Sequence, residues 1–503
     1  MGGQGSNRRI STGSRGLDAI LRGGLSPGRS YLLEGRPGSG KTTLAMQFLL
    51  AGVTRGESCL MVTLSEGEAE LHATAASHGW RLDGLNVLEL RPSEETLARD
   101  GRYTMYHPSD VELAETTKAV LAETERLKPT RLVIDSLSEL RLLAETPLRY
   151  RRQILALTRY FSRAACTVLL LDDRGTDGAE VDSHSLVLQA LAHGVISLDV
   201  DVPEYGTTRR RLHVGKLRGQ AFSEGYHDFT IRRHGLEVFP RLIASEHGTS
   251  DGSAELSTGV AALDALLGGG LTAGTSTLLM GAAGTGKSSL AAQIAYANAE
   301  RGERAAFLLF EEAAETFIAR AETLGIPVRS HIDAGRILVR QIDPAELSPG
   351  EFAHLVRGAV EQDQVATVVI DSLSGYFNAM PNERFLALHL HELLAYLRAR
   401  SVTTLLLMAQ HGLVGPVGNP PIDASYLADT VLLLRYFEAR GEVRQAVSVI
   451  KKRTGTHERT IRELRVEARG ILIGEPILDF QGVLSGLPEF RGRSAPLATN
   501  NHD

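Results

Sequence analysis

The feature that most constrains how this chain can fold is a long internal repeat. The chain has 503 residues, of which 43% are hydrophobic, so each copy of the repeat is long enough to bury its own core. Two copies of one sequence pattern predict two domains of one fold. The matched segments are STGSRGLD (residues 11–18) and STGVAALD (257–264), GGLSPG (23–28) and GGLTAG (269–274), and LVIDSLS (132–138) and VVIDSLS (368–374).

Composition and spacing place the boundaries of these domains. Small polar residues and glycine separate the copies, as is typical of a solvated linker. Loop lysines in the two copies are 287 − 41 = 246 positions apart, whereas later aspartates are 371 − 135 = 236 apart. The first copy therefore carries extra residues, which we place in 91–108. The predicted segments are a flexible N-terminus (1–9), a first domain (10–244), a linker (245–254), a second domain (255–487) and a flexible tail (488–503).

Each copy contains a glycine-rich sequence of the form G-x-x-x-x-G-K-[ST], at residues 35–42 and 281–288. The glycines let successive backbone N–H groups converge on phosphate oxygens, the lysine supplies a positive charge, and the hydroxyl that follows can hold Mg²⁺. The sequence therefore predicts two nucleoside triphosphate sites. The predicted binding residues are Gly35, Gly38, Ser39, Gly40, Lys41, Thr42 and Thr43 in the first copy, and Gly281, Gly284, Thr285, Gly286, Lys287, Ser288 and Ser289 in the second.

The pattern around the loops predicts an α/β fold. Each loop follows an apolar run and precedes a helical pattern, at residues 43–53 and 289–298. Later apolar runs at 167–171 and 404–408 are typical of strands buried on both faces. Strands that alternate with amphipathic helices predict a mainly parallel sheet flanked by helices, with the ligand at the carboxyl ends of the strands.

Two aspartates are candidate metal ligands. Asp135 and Asp371 each end an apolar strand downstream of a loop. A carboxylate there can hold Mg²⁺ through water, opposite the loop hydroxyls of Thr42 and Ser288. The alternative is an aspartate that caps the next turn.

A pair of acids after the next predicted strand suggests catalysis. Glu311 and Glu312 lie where a carboxylate can orient or deprotonate a water or a hydroxyl beside the nucleotide. The alternative is two solvated acids at the start of a loop. The first copy has Ser65 and Glu66 at these positions, and a serine cannot act as a carboxylate base. If the first acid is the base, hydrolysis in the first copy should be slow.

A pair of cations recurs near the end of each copy. Lys216 and Arg218 match Lys451 and Arg453, and alternation along a strand places the members of each pair on one face. Such cations can act on the γ-phosphate of a neighbouring subunit in the manner of an arginine finger, which requires a ring or filament. The alternative is a charged solvent face.

Composition and charge restrict the other classes of function. The formal net charge of −6 gives no overall basic surface for nucleic acid. No apolar run is long enough to span a membrane, and the first nine residues lack the apolar core of a secretory signal. The two cysteines, Cys59 and Cys166, are predicted to be buried thiols in a reducing cytoplasm.

Taken together, these motifs resemble the KaiC family of clock ATPases and autokinases, two-domain members of the RecA superfamily. The resemblance covers residues 10–487 and is carried by ISTGSRGLDAILRGGLSPGRSYLLEGRPGSGKTT (10–43), KLRG (216–219) and IKKRTGTHERTIRELRV (450–466). It implies two tandem RecA-like P-loop domains and a double-layered ring of six chains with ATP and Mg²⁺ between neighbours. It also implies slow hydrolysis in the first domain and autophosphorylation on Ser and Thr in the second.

The same resemblance assigns roles to particular residues. Glu311 and Glu312 match the acids that activate the acceptor hydroxyl, and the two cation pairs match contacts from the adjacent chain. The acceptor segment matches at Ser425, but Tyr426 stands where an acceptor threonine is expected. Ser425 is therefore a candidate lone phospho-acceptor, and the alternative is a surface loop serine. A full two-site cycle is not expected.

Three classes of function remain at this stage. The first is a ring-forming cytoplasmic ATPase and serine autokinase in a signalling or clock-like role, with signalling proteins as partners. The second is a nucleotide-gated scaffold with little catalysis, which Ser65 favours for the first copy. The third is a RecA-like motor on nucleic acid, whose best local candidate is the cluster RYRR at 149–152, although the pattern favours a solvated helix end there.

Overall fold

The computed structural model describes residues 9–90, 108–144, 146–174, 183–204, 206–243, 254–343, 345–378, 385–410, 425–439, 441–483 and 489–490. The chain divides into two compact units, Met1–Arg241 and Leu242–Asp503. Several sequence predictions concern residues outside the described part of the chain. These are the predictions for 1–8 and 491–503 at the termini, the extra residues at 91–107, most of the linker (245–253), and residues 422–424 of the acceptor segment.

The first unit contains one nine-stranded sheet. Its strands are β1 (Ser30–Gly35), β2 (Cys59–Thr63), β3 (Asn86–Glu89), β4 (Arg131–Asp135), β5 (Thr167–Asp173), β6 (Gly194–Asp201), β7 (Arg209–Leu217), β8 (Tyr226–Arg232) and β9 (Gly235–Phe239). Their order is β3-β2-β4-β5-β1-β6-β7-β8-β9. The first six strands in that order are parallel, and the last three continue the sheet in antiparallel fashion.

The second unit repeats this sheet. Its strands are β10 (Glu255–Leu256), β11 (Leu271–Thr272), β12 (Ser276–Gly281), β13 (Ala305–Leu309), β14 (Ile337–Gln341), β15 (Thr367–Asp371), β16 (Thr403–Ala409), β17 (Thr430–Ala439), β18 (Glu442–Lys452), β19 (Arg462–Glu467), β20 (Gly470–Pro476), β21 (Phe480–Gln481) and β22 (Glu489–Phe490). Nine of these strands form the large sheet, in the order β14-β13-β15-β16-β12-β17-β18-β19-β20, and β10-β11 and β21-β22 form separate two-stranded sheets. Two mainly parallel sheets of matching order confirm the predicted α/β class.

Helices flank both sheets. In the first unit they are α1 (Arg15–Ile20), α2 (Lys41–Val53), α3 (Glu68–Ser77), α4 (Pro108–Leu127), α5 (Leu137–Leu143), α6 (Pro147–Arg163) and α7 (Ser183–Leu191). In the second unit they are α8 (Ala261–Leu266), α9 (Lys287–Glu300), α10 (Ala314–Thr323), α11 (Val328–Asp333), α12 (Pro349–Glu361), α13 (Leu373–Asn378) and α14 (Leu386–Ala399). Among the described residues, no helix combines the length and the apolar character needed to cross a bilayer.

The central strands are buried on both faces because helices cover each face of the sheet. Every residue of β1, β2 and β4 is buried, and the predicted apolar runs at 167–171 in β5 and 404–408 in β16 are buried throughout. The apolar stripe of α6 (Ile154, Leu157, Phe161) is also buried, and so is the stripe of α14. Each unit therefore has apolar cores on both sides of its sheet, and these cores hold the strand ends in fixed positions.

The helices after the two loops begin earlier than the sequence pattern predicts. They start at Lys41 and Lys287, two residues before the predicted starts. Gly40 and Gly286 adopt left-handed conformations and cap these helices, so each lysine already belongs to the first helical turn. The lysine side chains are thus attached to rigid elements.

Candidate nucleotide-binding sites

Both glycine-rich loops lie at the carboxyl end of a central strand. The first loop follows β1, which pairs in parallel with β5 and β6, and the second follows β12, which pairs in the same way with β16 and β17. Each loop leads directly into a helix, α2 or α9. This is the position at which open α/β sheets bind phosphate-containing ligands, since the helix N-terminus and the loop N–H groups point toward the ligand.

The second glycine of each motif is required by the backbone and by packing. Gly40 has φ of 100° and Gly286 has φ of 92°. A Cβ at Gly40 would lie 2.8 Å from Cδ1 of Ile231, and one at Gly286 would lie 2.9 Å from Cγ2 of Val466. Strands β8 and β19 therefore press on the loops at matching points and hold them in shape.

The loop lysines point back over their own loops. Nζ of Lys41 donates to the carbonyl oxygens of Gly35 and Arg36, each at 3.0 Å. Nζ of Lys287 makes the matching bonds to Gly281 at 2.9 Å and to the next residue at 2.8 Å. Burial lowers the pKa of Lys287, although the nearby acids Asp371 and Glu311 oppose that shift.

Polar groups that a phosphate could satisfy lie within the first loop. The side chain of Ser39 is fully buried, and within the described part of the chain its Oγ has no hydrogen-bond partner. Buried hydroxyls are normally paired, so an unpaired one beside converging N–H groups is compatible with an anionic ligand. In the second loop, Thr285 Oγ1 instead donates to the Ala282 carbonyl at 2.8 Å. The predicted neighbours Gly38 and Gly284 also adopt positive φ, and Thr43 and Ser289 are buried at the start of the helices.

The candidate metal ligands meet in both copies. Thr42 Oγ1 donates to Asp135 Oδ2 at 2.7 Å, and the Ser288 side chain hydrogen-bonds Asp371. Burial is the main cause that raises the pKa of both aspartates; in the first copy the Thr42 hydrogen bond and the charge of Lys41 oppose the shift. A cation would relieve this burial cost, so each hydroxyl and carboxylate pair fits the predicted Mg²⁺ ligands.

The two acids of the second copy have different partners. Ser372 Oγ donates to Glu311 Oε1 at 2.6 Å, which directs this carboxylate toward the strand end that carries Asp371. Glu312 forms an ion pair with Arg320 at 2.7 Å, and Arg320 Nη1 also donates to Ser289 Oγ at 3.0 Å. Glu312 is thus paired with a cation, whereas the contact of Glu311 is with a neutral hydroxyl.

The first copy has one acid at this position, and it lies in a different environment. Burial and the nearby carboxylates Asp135 and Glu70 raise the pKa of Glu66. Its Oε2 is buried and, among the residues that the structure describes, lacks a hydrogen-bond partner. The position that matches Arg320 is Thr74 on α3, which carries no charge. Glu66 therefore lacks the cation that pairs with Glu312 in the second copy.

The members of each predicted cation pair lie close together, although Arg218 and Arg453 lie one residue past the ends of β7 and β18. Lys216 Nζ donates to the Gln189 carbonyl at 2.5 Å, and Arg218 Nη2 donates to the Ala190 carbonyl at 2.7 Å. These carbonyls belong to the last turn of α7, where cations complement the helix dipole. Burial and the neighbouring charge of Arg218 lower the pKa of Lys216, because both disfavour its protonated form.

In the second copy, the matching cations contact the candidate acceptor segment. Lys451 Nζ donates to the Ser425 carbonyl at 2.9 Å, and Arg453 Nη2 donates to the Tyr426 carbonyl at 3.0 Å. Arg453 also lies 3.5 Å from Asp429. The Tyr426 side chain is 55% exposed, and Ser425 is half-buried beside it. The structure thus brings Ser425 next to the cation pair.

Two residues near the sites were not among the sequence predictions. Arg320 lies eight residues after Glu312 on α10, and Asp173 lies at the end of β5, 2.7 Å from Lys41 Nζ. A helical spacing could have indicated Arg320 once α10 was placed. The contact of Asp173 with Lys41 depends on strand order, which the sequence pattern alone does not provide.

The basic cluster at 149–152 is unsuitable for stacking on bases. It forms the first turn of α6, where the arginines are exposed but Tyr150 is 1% exposed and packs in the core. An aromatic side chain that contributes to single-stranded nucleic-acid binding has to present its ring face to the base.

The fold and loops define a class: tandem RecA-like domains, each with a P-loop at a sheet end. A family model described as "ATPase: KaiC" matches residues 10–243 and again residues 256–477, so the chain belongs to the KaiC ATPase family. The chain is 27% identical to the circadian clock oscillator protein KaiC of Thermostichus vulcanus over 492 residues, 96% of this chain and 92% of that protein. It is 26% identical to the circadian clock oscillator protein KaiC of Synechococcus elongatus over 487 residues, 95% and 92% of the two chains.

Proposed function

We propose that this protein is a cytoplasmic ATPase that assembles in an ATP-dependent ring because each site needs a neighbouring chain. We propose also that it phosphorylates Ser425, in a signalling or clock-like role. The observation that carries the proposal is the placement of the cation pairs and Ser425 at the opposite end of the sheet from the loop of the same domain. ATP and Mg²⁺ would be held by the loop residues and by the two hydroxyl and aspartate pairs described above.

The second domain shows this placement directly. Its loop follows Gly281 at the carboxyl end of β12, whereas Asp429 N donates to the carbonyl of Ser276 at the start of that strand. Five residue rises separate the two ends, about 17 Å. Phosphoryl transfer needs the reacting atoms within about 3.5 Å, so the loop of one chain cannot serve its own Ser425 in this arrangement. If the loop belongs to one chain and Ser425 to the next, the phosphoryl group and the acceptor hydroxyl can meet.

The first domain repeats the placement. Arg218 N donates to the His193 carbonyl, and His193 N donates to the carbonyl of Ser30, the first residue of β1. The loop of that domain follows Gly35, at the other end of β1. Cations at one end and a loop at the other favour head-to-tail association, which generates rings when the rotation closes.

Within the second site, Glu311 is the candidate base. Its carboxylate would take the proton of the acceptor hydroxyl as the oxygen of Ser425 from a neighbour bonds to the γ-phosphorus. The bond from that phosphorus to the bridging oxygen breaks, and ADP leaves with the electron pair. Water in place of the serine gives hydrolysis by the same route.

Mixed assemblies test transfer between chains. A size-tagged Lys287→Ala chain keeps Ser425 but lacks the second loop lysine, and a Ser425→Ala chain keeps the loop but lacks the acceptor. We expect phosphate on Ser425 of the tagged chain, measured by mass spectrometry after incubation with Mg·ATP, only when the two are mixed. Phosphate on the tagged chain alone, or on neither in the mixture while the wild-type chain is phosphorylated, contradicts transfer between chains. A wild-type chain without phosphate on Ser425 contradicts the kinase function.

One observation favours a second function for the first domain, that of a nucleotide-gated scaffold. Ser65 holds the position of Glu311, and the remaining acid, Glu66, has a raised pKa and no matching cation. ATP there would drive assembly with little turnover. Native mass spectrometry with a slowly hydrolysed ATP analogue tests this reading: assembly equal to that with ATP supports the scaffold, and assembly that requires turnover contradicts it.

A further inference from the structure

The loop lysine of the first domain contacts the carboxylate of Asp173, and no residue at the matching position of the second domain carries a carboxylate. Lys41 Nζ contacts three oxygen atoms: the Gly35 and Arg36 carbonyls, and Oδ1 of Asp173 at 2.7 Å. An ammonium group has three donors, so these contacts use all of them. The Lys41 side chain is 8% exposed and that of Asp173 is 37% exposed, so this ion pair is partly shielded from solvent.

Strand register shows what replaces this carboxylate in the second domain. Gly35 of β1 lies opposite Asp173 of β5, and Gly281 of β12 lies opposite Ala409 of β16. The alanine methyl group can neither accept a hydrogen bond nor carry charge. Lys287 contacts the two matching loop carbonyls, and the acids that act on it are Asp371 and Glu311 instead of a residue at the position of Asp173.

Asp173 is held in place by a second contact. Ser138 Oγ donates to Asp173 Oδ2 at 3.2 Å and accepts from Asp173 N at 3.3 Å. The carboxylate also raises the pKa of Asp135, so it lies close enough to affect the candidate metal ligand. Its charge therefore acts on the side of the site where phosphates and Mg²⁺ would be placed.

We propose that Asp173 is an internal phosphate mimic that occupies Lys41 in the nucleotide-free first site, so that ATP binding there requires exchange of this carboxylate for a phosphate. This inference rests on the proposed nucleotide binding and adds a residue that sets the affinity of one site only. Asp173 lowers the affinity of the first domain for ATP relative to a site with a neutral residue, and the second domain lacks this competition.

The two sites can be measured separately in the full chain. Lys287→Ala weakens the second site, and in this background Asp173→Asn keeps the shape of the side chain but removes its charge. We expect about a three- to tenfold gain in affinity for a fluorescent Mg·ATP analogue, because the competing ion pair is partly screened. An unchanged or weaker affinity overturns the proposal. The matched control is Ala409→Asp in a Lys41→Ala background, for which we expect a loss of similar size at the second site.

Thermal unfolding separates this role from a structural one. Asp173→Asn should lower the midpoint of the first domain without nucleotide, and saturating Mg·ATP should remove most of that difference. An equal loss with and without ATP means that Asp173 is structural only and overturns the proposal. If the wild-type chain binds no ATP, the proposed function fails together with this inference. If the wild-type chain binds ATP and Asp173→Asn leaves the ATP affinity of the first site unchanged, this inference alone fails.

Discussion

The two domains have the same strand order and the same register around the loop strand, yet the side chains at matching positions differ sharply. In the first domain, Glu34 is 1% exposed and forms an ion pair with Arg174, and Ser197 Oγ donates to it at 2.8 Å. In the second domain these positions hold apolar or neutral residues. The pairs that are polar or charged in the first domain and apolar or neutral in the second are Glu34 and Met280, Ser197 and Leu433, Arg174 and Gln410, and Asp173 and Ala409. Two pairs show the reverse, with the charge in the second domain: Ser65 and Glu311, and Thr74 and Arg320.

This difference teaches that one backbone supports two kinds of site. The first domain has its additional charges on the strands next to the loop. Gln189, near the end of α7, donates to the buried carboxylate of Glu34 through its side chain and accepts from Lys216 through its carbonyl. The second domain places its charges at the strand end after β13, where Glu311 and Glu312 lie. We read the first arrangement as suited to binding and assembly, and the second as suited to proton transfer.

The largest effects should come from the loop lysines, and they should differ between domains. Lys41→Ala or Lys287→Ala each removes the charge that we propose for phosphate binding, so we expect about a 100-fold loss of ATP affinity at the altered site. Lys287→Ala should abolish phosphate on Ser425 and retain assembly, whereas Lys41→Ala should impair assembly. Native mass spectrometry and phosphosite mapping on the same samples check both. Identical behaviour of the two variants would remove the functional distinction between the domains.

The next largest effect concerns the acid that the first domain lacks. Glu311→Gln removes the candidate base, so we expect ATP turnover to fall by about 100-fold while ATP binding is retained. Glu66→Gln should change turnover far less, because the first domain contributes little of it. Steady-state phosphate release, with ATP binding measured in parallel, checks the pair. Equal losses for the two variants would show that both domains hydrolyse ATP by the same route.

Stability should respond in opposite directions at Glu66 and Glu312. The pKa of Glu66 is raised in the folded state, so its contribution to stability is present at low pH and is lost as the pH rises through the folded-state pKa. Glu66→Gln should therefore raise the midpoint of thermal unfolding at pH 7.5, by about 1–2 °C, and change it less at pH 4. Glu312→Gln breaks the Arg320 ion pair and should cost about 0.5–1 kcal/mol at pH 7.5. Calorimetry at both pH values checks these signs, and stabilisation by both substitutions would contradict them.

The smallest signal is expected from the two cysteines, which both lie in the first domain. Burial raises the pKa of Cys59 to about 11 and that of Cys166 to about 12, and both side chains are fully buried. We expect almost no alkylation of the native protein at pH 8, and complete alkylation of both thiols in denaturant. Mass spectrometry over time checks this. Fast labelling of the native chain would show that the first domain opens readily.

The sequence predicts the loops and the strands of the scaffold well, but it predicts few of the contacts between neighbouring strands. The loops, the buried strands and the pairing of Thr42 with Asp135 follow from motifs whose local context is strand, turn and helix. The role of Arg320 as partner of Glu312 depends on where a helix docks, and the contact between Lys41 and Asp173 depends on a neighbouring strand 132 positions later (173 − 41). Motifs predict local geometry, whereas contacts between side chains of different elements depend on how the helices and strands are arranged.

The placement of cations at one end of the sheet and the loop at the other has an arithmetic consequence. If each reaction centre is built from the loop of one chain and the cations of the next, one polypeptide takes part in two centres. A chain defective only in Lys287, diluted with intact chains, should reduce the number of working centres in proportion to its share. With a chain that also lacks Lys451 and Arg453, the fraction of working centres should equal the square of the fraction of intact chains. Activity should therefore fall faster than the share of intact chains.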